Sequence, residues 1–214
     1  MRLFLFAALA CAAQTHVTLV GDSTVAATSG WGPGFQAALE GKAVVRNLAR
    51  GGRSSKSFRD EGLWRPAIDG SARYILIQFG HNDCPGKGPA RETDPQTTFR
   101  ANMTRYVTEA RAAGAIPVLV TSIVRRNFTP DGRIRPDCLV SYVEETRRLA
   151  AATGAPLIDM YALTKEQSEQ LGPAASDALG PEPKDGKPDR THLGPRGQRE
   201  VGAIVAREFL RLLP

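Results

Sequence analysis

Hydrophobic residues come along this chain in short bursts, separated by longer stretches in which they recur every three or four positions. The bursts are "HVTLVG" (16–21), "AVVRNLA" (43–49), "RYILIQFG" (73–80), "IPVLVTS" (116–122) and "PLIDM" (156–160). Nearly continuous Val, Ile and Leu over so few residues suits strands buried on both faces of a parallel sheet. The stretches between them predict helices. Residues 95–114 follow Asp94 as a cap, open on Pro95 and stop at Gly114, the usual punctuation of a helix. Residues 139–154 end on Gly154 just before Pro156, a second standard stop. In the last stretch, 194–214, Val201, Ile204, Val205, Phe209 and Leu212 fall on one helical face.

Strands alternating with helices through right-handed crossovers give a three-layer α/β sandwich on a five-stranded parallel sheet. In such sheets ligands sit beyond the carboxyl ends of the strands. The polar motifs of this chain lie at those ends. "GDST" (21–24) follows the first strand, "RGGRSS" (50–55) the second and "GHND" (80–83) the third. Segments 127–137 and 171–190, rich in Pro, Gly and charge, read as loops. Long loops in a compact domain are more often functional than idle.

With 214 residues, 42% of them hydrophobic, the chain suffices for one domain with a large core. The start, "MRLFLFAALACAAQT", has one Arg, an apolar run and a small-residue exit. That is the pattern of a secretory signal peptide over residues 1–15, with the domain following from 16 to 214. A buried first element and a lipidated Cys11 are the competing readings. Without those residues 27 basic side chains face 22 acidic ones. The surplus fits an acidic partner or substrate, or simply solubility. Export also leaves two cysteines, Cys84 and Cys138. In an oxidising compartment the pair permits a disulfide without requiring one. Neither has metal-ligand spacing.

The strand-end residues combine into a chemical proposition. Acyl transfer through serine needs a base within reach, a group to orient that base, and donors for the oxyanion. Asp189 and His192, three apart in "PDRTHLG", can meet through a carboxylate–imidazole bond and leave the other ring nitrogen for Ser23. The Ser23 N–H, at a helix N-terminus, the Gly52 N–H and the Asn82 side-chain amide would serve the oxyanion. Taken singly, each piece has a plainer explanation. Ser23 reads as a helix cap, Gly51-Gly52 as a turn, Asn82-Asp83 and Asp189 as caps, and His192 as a surface histidine. What favours the joint reading is position: two of only three histidines, and every motif, lie at strand ends or just before the last helix.

"GDST", Gly52 in "RGGRSS", "GHND" and "DRTH", in that order, resemble the four sequence blocks of the SGNH, or GDSL-type, hydrolases. The resemblance spans residues 16–214. It implies a flavodoxin-like α/β/α sandwich and, position by position, Ser23 as nucleophile and Asp189 and His192 as acid and base. It further implies Ser23, Gly52 and Asn82 as the oxyanion hole, with no cofactor and no metal. "GDST", "GGRSSKSF" and "FGHND" are similar to the rhamnogalacturonan acetylesterase branch. That implies deacetylation of a pectin-type polysaccharide or a neighbouring carbohydrate deacetylase activity, the alternative within the family being an esterase or lipase for another short-chain acyl ester. With the signal segment, the expectation is a secreted or periplasmic monomer with no nucleic acid or membrane as partner. Arg50, Arg53, Lys56 and Arg59 flank Gly52 and would meet galacturonate carboxylates, or else form a solvated face. Arg53 and Ser54 have a further possible role in stabilising the Gly52 loop. Arg53 and His81 are the candidate substrate-binding residues.

Three other classes compete. A metal-dependent hydrolase would gather His81, Asp83, Asp189 and His192 round a cation, but leaves Ser23 and Gly52 unexplained. A carbohydrate-binding module would expose Trp31, Trp64 and Phe58 as platforms. A nucleic-acid binder fits the charge but lacks a basic helix or aromatic RNA motif. An α/β-hydrolase elbow is disfavoured because "VGDSTV" lacks the second Gly of G-x-S-x-G.

Overall fold

The computed structural model describes residues 14–213. Five parallel strands, β1 (Thr15–Gly21), β2 (Ala43–Asn47), β3 (Tyr74–Gln78), β4 (Ile116–Val120) and β5 (Leu157–Ile158), form one sheet in the order β2-β1-β3-β4-β5. Val17 stands opposite Val45 on one side and Tyr74 on the other; Leu76 pairs with Val118. The direction of winding reverses between β1 and β3, so their carboxyl ends open a crevice there. The expected signal segment lies outside the described residues except for Gln14 and Thr15, and Thr15 opens β1.

Alternation along the strands sorts the core into two halves. Ile75, Ile77, Val20 and Leu119 pack with Phe58, Phe99, Met103, Tyr106 and Tyr142 beneath α2 (Ser57–Asp60), α3 (Arg100–Ala112) and α4 (Leu139–Thr153). Tyr74, Leu76, Val17 and Val118 pack with Trp31, Phe35, Val205 and Phe209 beneath α1 (Gly32–Ala38), α5 (Met160–Asp177) and α6 (Pro195–Leu210). Helices α1 and α6 approach until a Cβ on Gly34 would meet the Gln198 carbonyl at 1.9 Å. The expected caps are in place. Asp94 accepts from the N–H groups of Gln96 and Thr97, ahead of a π-helical turn, Pro95–Phe99, that leads into α3. Gly154 ends α4 in the left-handed conformation, φ +63°.

Two expectations are corrected. Segment 171–190 is not all loop, because α5 continues to Asp177 across a kink at Gly172 (φ +72°). Pro173, tolerated in the first turn of a helix, restarts it. The chain after Ser23 is not a regular helix either. It doubles back so that Trp31 N donates to Thr24 O at 2.9 Å and Gly32 N to Val25 O at 3.2 Å. Such a reversal is too tight for helical geometry, and it requires Gly30, whose Cβ would lie 2.3 Å from the Thr24 carbonyl carbon. Trp31, Phe58 and Trp64 are buried in the core, which removes them as sugar platforms. Cys84 and Cys138 form a disulfide that ties the turn after β3 to the start of α4.

Candidate active site

Ser23 stands one residue past Asp22 at the end of β1, and the Asp22 side chain does the capping there. Its Oδ1 accepts from Thr24 N at 2.8 Å and from Thr24 Oγ1 at 2.7 Å. Capping therefore does not occupy the Ser23 hydroxyl, which lies 2.9 Å from His192 Nε2. On the far side of the ring, His192 Nδ1 donates to Asp189 Oδ2 at 2.7 Å. Asp189 Oδ1 accepts two backbone N–H groups, from Thr191 at 2.8 Å and His192 at 2.9 Å. Burial alone would raise the Asp189 carboxyl, but these bonds and the adjoining imidazole hold it below the usual value. An ionised Asp189 can only accept, so Nδ1 carries the ring proton and Nε2 is left to accept from Ser23 Oγ. Leu193 N donates to Ser29 O at 2.9 Å, and Ser29 Oγ donates to Ser23 O at 2.8 Å. These two bonds lock the His192 turn against the serine loop.

Gly52 follows β2 with φ +77°, a left-handed conformation that glycine adopts without strain. Gly51 approaches so near that its Cβ would lie 3.7 Å from that of Ser23. Among the described residues, the N–H groups of Ser23 and Gly52 find no acceptor in the protein. The Asn82 side-chain amide donates one hydrogen to Arg53 O at 3.1 Å and has a second to offer. Next to it, Asp83 pins the glycine loop. Its carboxylate accepts from Ser55 Oγ at 2.5 Å, from Ser55 N at 3.1 Å and from Thr93 Oγ1 at 2.9 Å. Burial pushes the Asp83 carboxyl up to about 6, against the pull of those bonds.

Of the two candidate substrate-binding residues, His81 is placed differently from expectation, and Arg53 takes the loop-stabilising role that was its alternative. His81 is 3% exposed and faces inward, its Nδ1 3.6 Å from Asp22 Oδ2. That is too long for a hydrogen bond, and a ring buried beneath the site cannot meet a sugar at its surface. Burial raises the Asp22 carboxyl, yet the nearby His81 and the bonds from Thr24 bring it below its usual value. Arg53 braces its own loop, donating to Gly51 O and pairing with Glu61. Arg59 turns in under Tyr106 and pairs with Glu109. Lys56 donates to Pro89 O, and Arg50 is exposed. Of the proposed metal ligands, Asp189 and His192 bond to each other, while His81 and Asp83 belong to separate networks. Among the described residues no three His, Cys, Asp or Glu side chains gather as ligands would.

Residues 19–200 match the family model of the GDSL-like Lipase/Acylhydrolase family. The chain belongs to this family. It is a carboxylic ester hydrolase. Rhamnogalacturonan acetylesterase RhgT of Bacillus subtilis (strain 168) is 38% identical, over 89% of this chain and 88% of that protein. Two solved structures share the fold. Protein YXIM of Bacillus subtilis superposes with a TM-score of 0.79 at 24% identity, over 92% of this chain and 56% of that one. Axe2, an acetylxylan esterase from Geobacillus stearothermophilus, does so with a TM-score of 0.66 at 19% identity, over 92% and 93%. No helix among the described residues is long and apolar enough to cross a membrane.

Sequence reasoning missed three of the site's supports: Asp22 as the cap, Ser55 as the partner of Asp83, and the inward turn of His81. The adjacency of Asp83 to Asn82 was a signal for the second. Nothing in the sequence pointed to the direction of His81.

Proposed function

We propose that this chain removes acetyl groups from an acetylated polysaccharide, rhamnogalacturonan-type pectin first, by a Ser23–His192–Asp189 mechanism. The observation that carries the reading is the continuous relay from Asp189 Oδ2 to His192 Nδ1 and from His192 Nε2 to Ser23 Oγ, 2.7 and 2.9 Å. Ser23 Oγ attacks the acetyl carbonyl as its proton passes to His192 Nε2. The N–H groups of Ser23 and Gly52 and the free hydrogen of Asn82 Nδ2 receive the oxyanion. The intermediate collapses, and the sugar oxygen leaves with the proton from His192. Water then attacks the acetyl-serine, giving its proton to His192. Collapse releases acetate and returns that proton to Ser23. Asp189 holds one tautomer throughout.

The substrate follows from the likeness to RhgT and from charge. The protein is basic, with 28 Lys and Arg against 22 Asp and Glu, and exposed Arg50 adjoins the Gly51–Gly52 loop. Such a surface suits a polymer bearing carboxylates. The Cys84–Cys138 disulfide fits an oxidising compartment, so the enzyme works in secreted or periplasmic form. The test is acetate release from acetylated rhamnogalacturonan, with acetylated xylan as comparator, by the wild type and by Ser23→Ala. Release that needs Ser23 and favours rhamnogalacturonan supports the reading. Equal release from both polymers removes the pectin assignment, and release by Ser23→Ala removes the mechanism.

A further inference from the structure

Arg126 lies just past the end of β4 and is 2% exposed. No carboxylate pairs with it among the described residues, and its Nε has no partner there. A buried cation without a counter-ion is costly, so what the guanidinium touches matters. One terminal nitrogen donates to Asp189 O and to His192 O, both at 2.7 Å. The backbone N–H of the same residue donates to Arg190 O at 2.8 Å. Residue 126 thus holds three of the four carbonyls in the turn 189–192. Both ends of the Asp-x-x-His turn converge on one nitrogen. The span that sets His192 Nδ1 against Asp189 Oδ2 cannot widen without breaking a charge-assisted bond. Burial lowers the Arg126 pKa to about 10, against the pull of Asp189 and Asp177, so the group is a cation at neutral pH. Asp177, on α5, is itself engaged by Arg190 at 2.8 and 2.9 Å, leaving the backbone carbonyls as the bonding partners of Arg126.

From this geometry we infer that Arg126 is a positioning residue for the reaction, setting the reach of His192 Nε2 to Ser23 Oγ through the carbonyls of Asp189 and His192. The inference rests on the reading of Ser23, His192 and Asp189 as the catalytic set. Its consequence falls on turnover and not on substrate affinity, because Arg126 is buried beneath the turn. A misplacement on the order of 1 Å costs about 10²-fold in rate.

The test compares Arg126→Met and Arg126→Gln with Arg126→Lys, in proteins first shown to be folded by near-ultraviolet circular dichroism. Two readouts are taken: kcat and KM for acetyl ester hydrolysis, and the far-downfield proton resonance of the His192–Asp189 hydrogen bond, assigned by its loss in His192→Ala. The expected result is kcat lower by about 10²-fold at unchanged KM, with the resonance lost. Arg126→Lys, which retains a cationic donor, recovers the resonance and most of the rate. Whichever of the Met and Gln variants folds is read in the same way. A folded variant with wild-type kcat and an intact resonance overturns the inference. If Ser23→Ala keeps full activity, the reading of the catalytic set fails instead. The resonance, which needs no substrate, then decides by itself whether Arg126 holds the turn.

Discussion

Asn82 donates its side-chain amide to the carbonyl of Arg53 across 3.1 Å, joining the turn after β3 to the loop after β2. One bond thereby does two things. It restrains the rotamer of Asn82, and it ties the Gly52 loop to the turn after β3. Asp83 repeats the link one residue on, through Ser55. In the mechanism proposed above, these bonds hold the oxyanion donors in place before substrate arrives.

Removing this donor tests the arrangement. Asn82→Ala is expected to lower kcat by about 10²- to 10³-fold with KM little changed. Steady-state kinetics on a soluble acetyl ester check it. A rise in KM at constant kcat would place Asn82 in ground-state binding instead.

Ser23 and Asp22 are expected to separate function from stability. Ser23→Ala removes a hydroxyl that makes no capping bond, so turnover should fall by several orders of magnitude with the melting temperature unmoved. Asp22→Ala removes the acceptor for Thr24 N and Thr24 Oγ1. It should cost on the order of 1–3 kcal/mol in stability, because two buried donors lose their acceptor. Thermal melts of the two variants beside the wild type read the difference.

Asp83 predicts an unusual pH dependence. Burial lifts its folded pKa to about 6 from the ordinary 3.8, so between those values the native state binds more protons than the unfolded chain. Stability from this group is full below about pH 4 and is lost as pH rises through 6. The loss is about 3 kcal/mol for a shift of about two units. Asp189 runs the other way: its lowered pKa stabilises above about pH 4 and is lost on acidification. Urea melts at pH 4.5 and 7.5 should therefore show the wild type losing stability relative to Asp83→Asn on going to the higher pH. A gap that stays constant would contradict the prediction.

The disulfide spans 54 residues. Constraining a loop of that size stabilises the fold by about 4 kcal/mol in the chain-entropy treatment. Cys138→Ser or mild reduction should lower the melting temperature clearly. Hydrolysis well below that temperature should continue, because Asp83, Asn82 and their bonds to the Gly52 loop remain. Melting curves and acetate release with and without reductant provide the check.

Much of this was visible in the linear chain. Continuous Val, Ile and Leu marked the central strands β1, β3 and β4 because a sheet covered on both faces leaves no polar side to alternate with; the edge strand β2 departs from that expectation, with Val44 exposed. Asp94, Gly114 and Gly154 marked helix ends because capping is a local matter of backbone donors and φ. "GDST", "RGGRSS" and "GHND" could be paired with strand ends because each directly follows an apolar burst, and ligands in parallel sheets sit beyond the strands' carboxyl ends. Where the local signals gave out, the expectations slipped. Pro173 looked like a loop residue but starts a new helical segment past Gly172. The stretch after Ser23 looked helical but must fold back to bring Trp31 into the core.

The sequence by itself determined the strands, the helix stops, the α/β class and the side chains able to perform acyl transfer, since each follows from local pattern and composition. Only the tertiary structure decided how they meet. It put Ser23 Oγ 2.9 Å from a histidine 169 positions away. It turned His81 inward and Arg59 under Tyr106, closed the Cys84–Cys138 bond, and set Arg126 beneath the Asp189–His192 turn. The direction of a side chain is settled by packing across the whole fold, and that packing has no counterpart in the order of residues along the chain.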